Sequence, residues 1–143
     1  MNTTHTSHQL FLHIAEYMET LQAKEIADWQ TRAQYWADKN GAPVVKYETA
    51  MLKNVDLYSI DDHPRSKYIR VKKDGTNGQT FVHSFVDRET GSVYKPAGWK
   101  SPAKGKDGKP VERYNLLNDE SRAKLLDRCE STGGYLYADR AKG

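Results

Sequence analysis

Apolar and aromatic residues recur at three- and four-residue steps near the start of the chain: Leu10, Phe11, Ile14, Tyr17, Met18, Leu21, Ile26, Trp29, Ala33 and Trp36. That spacing lays one stripe along a helix. Thr6 followed by Gln9 fits a capping box, and Asn40-Gly41 then Pro43 is a stop signal, because glycine accepts the left-handed turn that ends helices. The pattern predicts a helix from about Ser7 to Lys39, with a break near Gln22–Lys24 where the stripe turns polar. At ~1.5 Å per residue it would run nearly 50 Å, more than a small domain covers. The period then becomes ambiguous over 44–63, ending in the turn cluster Asp61-Asp62-His63-Pro64. From Ser66 to Lys73 it is two, with Ile69 and Val71 on one face and Tyr68, Arg70 and Lys72 on the other. A second strand is expected over Gln79–Val86, with Phe81, His83 and Phe85 facing one way and Val82, Ser84 and Val86 the other. Gly91 suits a left-handed bulge position in the next turn, and Ser92–Lys95 returns as a third strand ended by Pro96. Residues 96–113 read as a Pro/Gly-rich loop. Asn118 caps a last helix from Asp119 to about Ser131, with Asp119 and Glu120 complementing its dipole, and Tyr135-Leu136-Tyr137 reads as a short closing strand.

These elements define an α+β chain: a helical segment over 1–43, then a small domain over 44–143 with a three- to four-stranded antiparallel meander and a C-terminal helix on one sheet face. Composition agrees with one modest core, since 143 residues suffice for a single domain and only 37% are hydrophobic. The 9 Tyr and 3 Trp supply packing surface with polar tips. A lone cysteine, Cys129, excludes an internal disulfide and falls on the apolar side of the last helix, where it serves as a small hydrophobe. No apolar run approaches a membrane span, and the polar first residues lack the order of a signal peptide, so an intracellular protein is expected.

Charge changes the picture. Residues 64–113 carry 12 Lys/Arg against 5 Asp/Glu, whereas residues 1–63 carry 5 against 9, so a net charge of +3 hides a basic middle and an acidic front. Such asymmetry favours a polyanionic partner. Lysine and arginine neutralise phosphates while exposed aromatics offer faces for base stacking. Tyr68, Arg70 and Lys72 share a strand face, and Trp99 sits among Lys95, Lys100 and Lys104, which makes these seven the candidate nucleic-acid contacts. The competing view packs Trp99 and Tyr94 into the core and leaves the lysines to solvate a loop. The second functional class is protein interaction through the first helix, by oligomerisation, virion assembly or inhibition of a host protein. Leu10, Ile14, Leu21, Trp29 and Trp36 would carry it.

Catalysis finds no constellation of acid, base and nucleophile, so a non-enzymatic protein is expected. The five histidines are scattered without ligand spacing, so no metal or cofactor is expected; His83 reads as a satisfied, partly buried histidine. Asp61-Asp62-His63 is turn chemistry ahead of a proline, and Gly75-Thr76-Asn77-Gly78 lacks the Gly-Lys-Ser/Thr ending of a phosphate loop.

One resemblance extends this. Phe81-Val82, Phe85-Val86-Asp87, Thr90-Gly91-Ser92-Val93-Tyr94-Lys95, Ala97-Gly98-Trp99, Pro102-Ala103-Lys104-Gly105, Arg113-Tyr114-Asn115-Leu116-Leu117 and Gly133-Gly134-Tyr135-Leu136-Tyr137 resemble a pattern in short phage-encoded proteins of no established activity. The likeness covers roughly the last half of the chain. It implies a viral origin, action in the host cytoplasm or the virion, and a small meander-plus-helix unit, and it assigns no catalytic residue. The first helix and the Lys106–Pro110 insertion depart from the shorter members.

Overall fold

The computed structural model describes residues 7–137. In chain order it has helices α1 (His8–Asn40) and α2 (Val44–Leu52), then strands β1 (Leu57–Asp61), β2 (Tyr68–Asp74), β3 (Thr80–Asp87), β4 (Ser92–Tyr94) and β5 (Tyr114–Asn115). Helix α3 (Asp119–Arg128) and a 3-10 turn at Gly134–Leu136 complete it. The strands form one antiparallel sheet in the order β1-β2-β3-β4-β5, a meander throughout. The chain is therefore α+β as expected, with five strands in place of three or four. The segment of mixed period over 44–63 supplies α2 and β1, and β5 is only two residues long. Tyr135 and Leu136 lie in the 3-10 turn and Tyr137 caps it, so the segment is not a strand.

Helix α1 begins at Ser7, whose Oγ accepts the Leu10 N–H at 3.1 Å. The anticipated Thr6–Gln9 box involves a residue outside those described. Gly41, at φ 63°, ends the helix in the left-handed region, and the Ala42 N–H reaches back to the Ala37 carbonyl at 3.1 Å. No break occurs at Gln22–Lys24. The polar residues there tie other elements to α1. Gln22 donates to the Asp56 carbonyl at 3.0 Å and accepts the Tyr58 N–H at 2.8 Å, while Glu25 accepts the Asp56 N–H at 3.1 Å. These bonds cover part of the outer edge of β1, an edge that would otherwise offer pairing to another chain. Lys24 donates to the carbonyls of Leu126, Asp127 and Cys129, each at 2.8 Å. It thus meets the orphan acceptors and the negative pole at the end of α3.

The core lies between α1 and one sheet face. Leu10, Ile14, Tyr17 and Leu21 pack with Ile69, Val71, Val86, Val93 and Tyr114, and with Leu116, Leu125, Cys129, Tyr135 and Leu136 from the C-terminal part. Each fully buried aliphatic side chain contributes about 1.5–3 kcal/mol. This cluster runs across residue 43, so the first half of α1 belongs to the same packed body as the sheet. Beyond Glu25, α1 buries only Ala33 and Ala37, and it pairs there with α2 as a helical hairpin.

A β-bulge reverses part of the expected alternation. Val71 pairs with Ser84 and Lys72 with Val82, leaving His83 as the extra residue of β3. His83 and Ser84 both turn to the helix-bearing side, and Val82 joins Phe85 on the open face; Phe81 and Phe85 fall on opposite faces. Arg88, 3% exposed, fixes the turn before β2: it pairs with Asp62 at 2.7 Å and donates to the carbonyls of Ser66 and His63, each at 2.8 Å. Gly91 takes φ 76° at the β3–β4 turn, where a Cβ would meet the Leu117 side chain at 2.9 Å.

Candidate nucleic-acid interface

Strand alternation leaves Asp61 on β1, Tyr68, Arg70 and Lys72 on β2, Val82 and Phe85 on β3, and Tyr94 on β4 on the face opposite the helices. Part of what covers this face is the segment after β4. It is no open loop but two miniature hairpins. The Ala97 N–H donates to the Ser101 carbonyl at 3.1 Å and the Ala103 N–H to the Lys95 carbonyl at 2.8 Å; the Gly105 N–H donates to the Lys109 carbonyl at 2.8 Å. The first hairpin carries Trp99 at its tip and folds it back over β2.

Arg70 holds the tip in place. Its Nε donates to the Trp99 carbonyl at 2.8 Å, and its guanidinium carbon lies 5.1 Å from the Trp99 ring centre and 5.6 Å from that of Phe85. Asp61 takes the remaining charge at 3.6 Å. Planar, delocalised and weakly hydrated, a guanidinium can lie against two rings and still donate in its own plane. Beneath it Phe85 is 1% exposed, while Tyr68 meets Phe85 and Tyr94 edge-on, both at 5.8 Å between ring centres. Trp99 remains 46% exposed.

The seven predicted contacts do not form a single set. Tyr68, Arg70 and Trp99 do come together, but Arg70 is committed to Asp61 and to the rings. Lys72 lies on the same face, and Lys100 follows Trp99 at the hairpin tip. Lys104 is exposed at the start of the second hairpin, paired across it with Pro110. Lys72, Lys100 and Lys104 enter none of the ion pairs found among the described residues. Lys95 turns elsewhere: its ammonium lies 5.0 Å from the ring centre of Tyr137, just past the C-terminal turn. Lys67 joins the set unforeseen, its ammonium 5.6 Å from the Tyr68 ring centre. The residues proposed for a helix-borne protein interface divide in the same way. Leu10, Ile14 and Leu21 are at most 1% exposed in the chain's own core. Trp29 is half-buried, donating to Glu25 at 3.1 Å, and Trp36 is exposed.

The helix-bearing face holds a polar chain that the sequence did not announce. Tyr17 Oη bonds to Ser84 Oγ at 2.9 Å and to Tyr135 Oη at 2.5 Å, and Tyr135 Oη bonds to His83 Nε2 at 2.7 Å. It joins α1, β3 and the C-terminal turn through the middle of the core. One consistent assignment runs Ser84 to Tyr17 to Tyr135 to His83, the last accepting as a neutral imidazole. Burial, reinforced by nearby Lys73, pulls the His83 pKa down from 6.5 to about 4. Burial also pushes the hydroxyls of Tyr17 and Tyr135 above the ordinary tyrosine value and the Cys129 thiol up. Groups so held are stabilised in neutral form, which suits a core tie. Among the described residues no group of three or more His, Cys, Asp or Glu could hold a metal ion, and no helix is long and apolar enough to cross a membrane.

Fold and site together define a small α+β protein whose five-stranded meander is covered by helices on one side and by one aromatic hairpin on the other. The chain belongs to a family of unknown function (DUF7717), whose model matches residues 1–138. No curated protein and no solved structure matches it.

Proposed function

We propose that the protein is a non-enzymatic phage accessory protein that acts in the host cytoplasm and binds nucleic acid, with little sequence preference, through the open sheet face. The observation that supports this is the placement of Trp99: a large aromatic, 46% exposed, lies against Arg70 on the strand face that also carries Tyr68 and Lys72, and Lys100 follows it in the chain. Lys67, Lys72 and Lys100 are the phosphate contacts; Lys104 is a peripheral one. Three such contacts predict that affinity falls about 20- to 40-fold when salt rises from about 50 to 200 mM. Fluorescence anisotropy of labelled oligonucleotides tests it. Micromolar binding at low salt is expected, lost in the Lys72→Glu, Lys100→Glu double variant while the melting temperature holds. Absence of binding at low salt would sink the proposal.

A second function class, contact with a phage or host protein, narrows from the whole apolar stripe of α1 to the α1–α2 hairpin. Tyr35, Trp36, Val45 and Leu52 are 56%, 46%, 63% and 75% exposed there.

A further inference from the structure

Resting on that proposed function, we infer that the ligand is a single strand, that one unpaired base stacks on Trp99, and that Arg70 is the positioning residue that presents this ring rather than a contact to phosphate. Three observations carry it. First, among the described residues no helix lies on the open face to enter the groove of a duplex, and the hairpin that folds over β2 presents Trp99 at its tip. Second, the Arg70 guanidinium carbon lies 5.6 Å from the Phe85 ring centre and 5.1 Å from that of Trp99, and the Trp99 ring stays 46% exposed. A ring face of this kind pairs with a flat, unpaired base, whereas bases inside a duplex have both faces occupied by their neighbours. Third, the arginine has little left for phosphate. Its side chain is 15% exposed, with Nε donating to the Trp99 carbonyl at 2.8 Å and Nη1 at 3.6 Å from the Asp61 carboxylate.

Arg70 and Lys72 are therefore different in kind, although both are cations two residues apart on one strand face. Lys72 acts by charge and is interchangeable with any other well-placed cation. Arg70 acts by shape, and no lysine reproduces a planar group that lies against two rings while donating to the Trp99 carbonyl. Lys67, Lys72 and Lys100 follow the sugar-phosphate chain on either side of the stacked base.

The test compares ligands on the unaltered protein. Labelled oligo-dT, oligo-U and an abasic strand of the same length and charge are titrated by anisotropy, together with the corresponding duplex. The unpaired strands bind about 5- to 100-fold more tightly than the abasic strand and more tightly than the duplex, the DNA and RNA arms showing whether the sugar matters. Arg70→Gln removes the preference for bases over the abasic strand and leaves the salt dependence unchanged. Lys72→Gln keeps that preference and lowers the slope of log affinity against log salt by about 0.7. An abasic strand that binds as tightly as oligo-dT overturns the stacking inference while leaving the polyanion reading standing. A change of about 0.7 in slope for Arg70→Gln overturns the role given to that residue. No binding by any strand overturns both this inference and the proposed function.

Discussion

The two faces of the sheet are built from alternate residues of the same strands, yet they solve the same problem in opposite ways. Each must place aromatic side chains and a few polar groups on a pleated surface. On the helix-bearing face, Tyr17, Ser84, Tyr135 and His83 satisfy one another within a sealed apolar cluster. On the open face, Tyr68, Phe85, Tyr94 and Trp99 are organised around a cation, Arg70, and the outermost ring stays wet. A mutually satisfied polar network rigidifies a core and holds its members in their neutral forms. A cation held against ring faces stores an ordered surface that a ligand can extend. The contrast teaches that the exposure of an aromatic at this sheet follows from what covers it and not from the pleat alone: Phe85 on the open face is 1% exposed beneath Arg70, whereas Phe81 on the other face is 49% exposed.

The largest expected effect breaks the closed face. Leu21→Ala removes a side chain that is 0% exposed and should cost about 2–5 kcal/mol in urea unfolding, through lost transfer energy and the cavity left behind. Trp36→Ala on the same helix, 46% exposed, should cost below about 1 kcal/mol. Equal costs would erase the distinction between the sealed and the free parts of α1.

A comparable effect is expected from pH. The unfolded chain protonates His83 near 6.5, while the fold resists until about 4. The unfolded state then binds more protons, so stability falls as pH drops through that window and is intact above it. The contribution amounts to about 3 kcal/mol. Lys73 disfavours the imidazolium and Glu130 favours it, and Glu130 itself titrates lower: burial opposes its ionisation, but hydrogen bonds from Thr132 and from backbone N–H groups hold it below the usual carboxylate range. The difference between the wild type and His83→Gln therefore isolates the histidine. Parallel stability curves for the two proteins would show that His83 is not held neutral.

The smallest effect on stability, and the largest on binding, belongs to the open face. Lys72→Glu with Lys100→Glu should leave unfolding within about 0.5 kcal/mol of the wild type while binding is lost. A large loss of stability would mean that those lysines serve the fold.

Much of this arrangement was legible in the residues. The three-four stripe placed Leu10, Ile14, Tyr17 and Leu21 together, and the period of two put Tyr68, Arg70 and Lys72 opposite Ile69 and Val71. Gly91 and Asn118 marked their turn and cap; Asn118 Oδ1 accepts the Ser121 N–H at 2.8 Å. What escaped did so for physical reasons. A single inserted residue, His83, reverses a strand's facing and leaves no trace in a pattern of period two. Polar Gln22 and Lys24 looked like a break because their partners, β1 and the end of α3, are distant in sequence. Arg70 and Lys72 carry the same charge, so nothing local distinguishes a strut between rings from a free ammonium. Lys95 looked like a neighbour of Trp99, but the chain turns between them.

The most direct test maps backbone amide shifts of the labelled protein by NMR as an oligo-dT strand is added. Changes are expected only at residues 67–72, 82–85 and 97–101, with the α1–α2 hairpin over 26–52 unmoved. Shifts concentrated on that hairpin, or none anywhere at low salt, would contradict it.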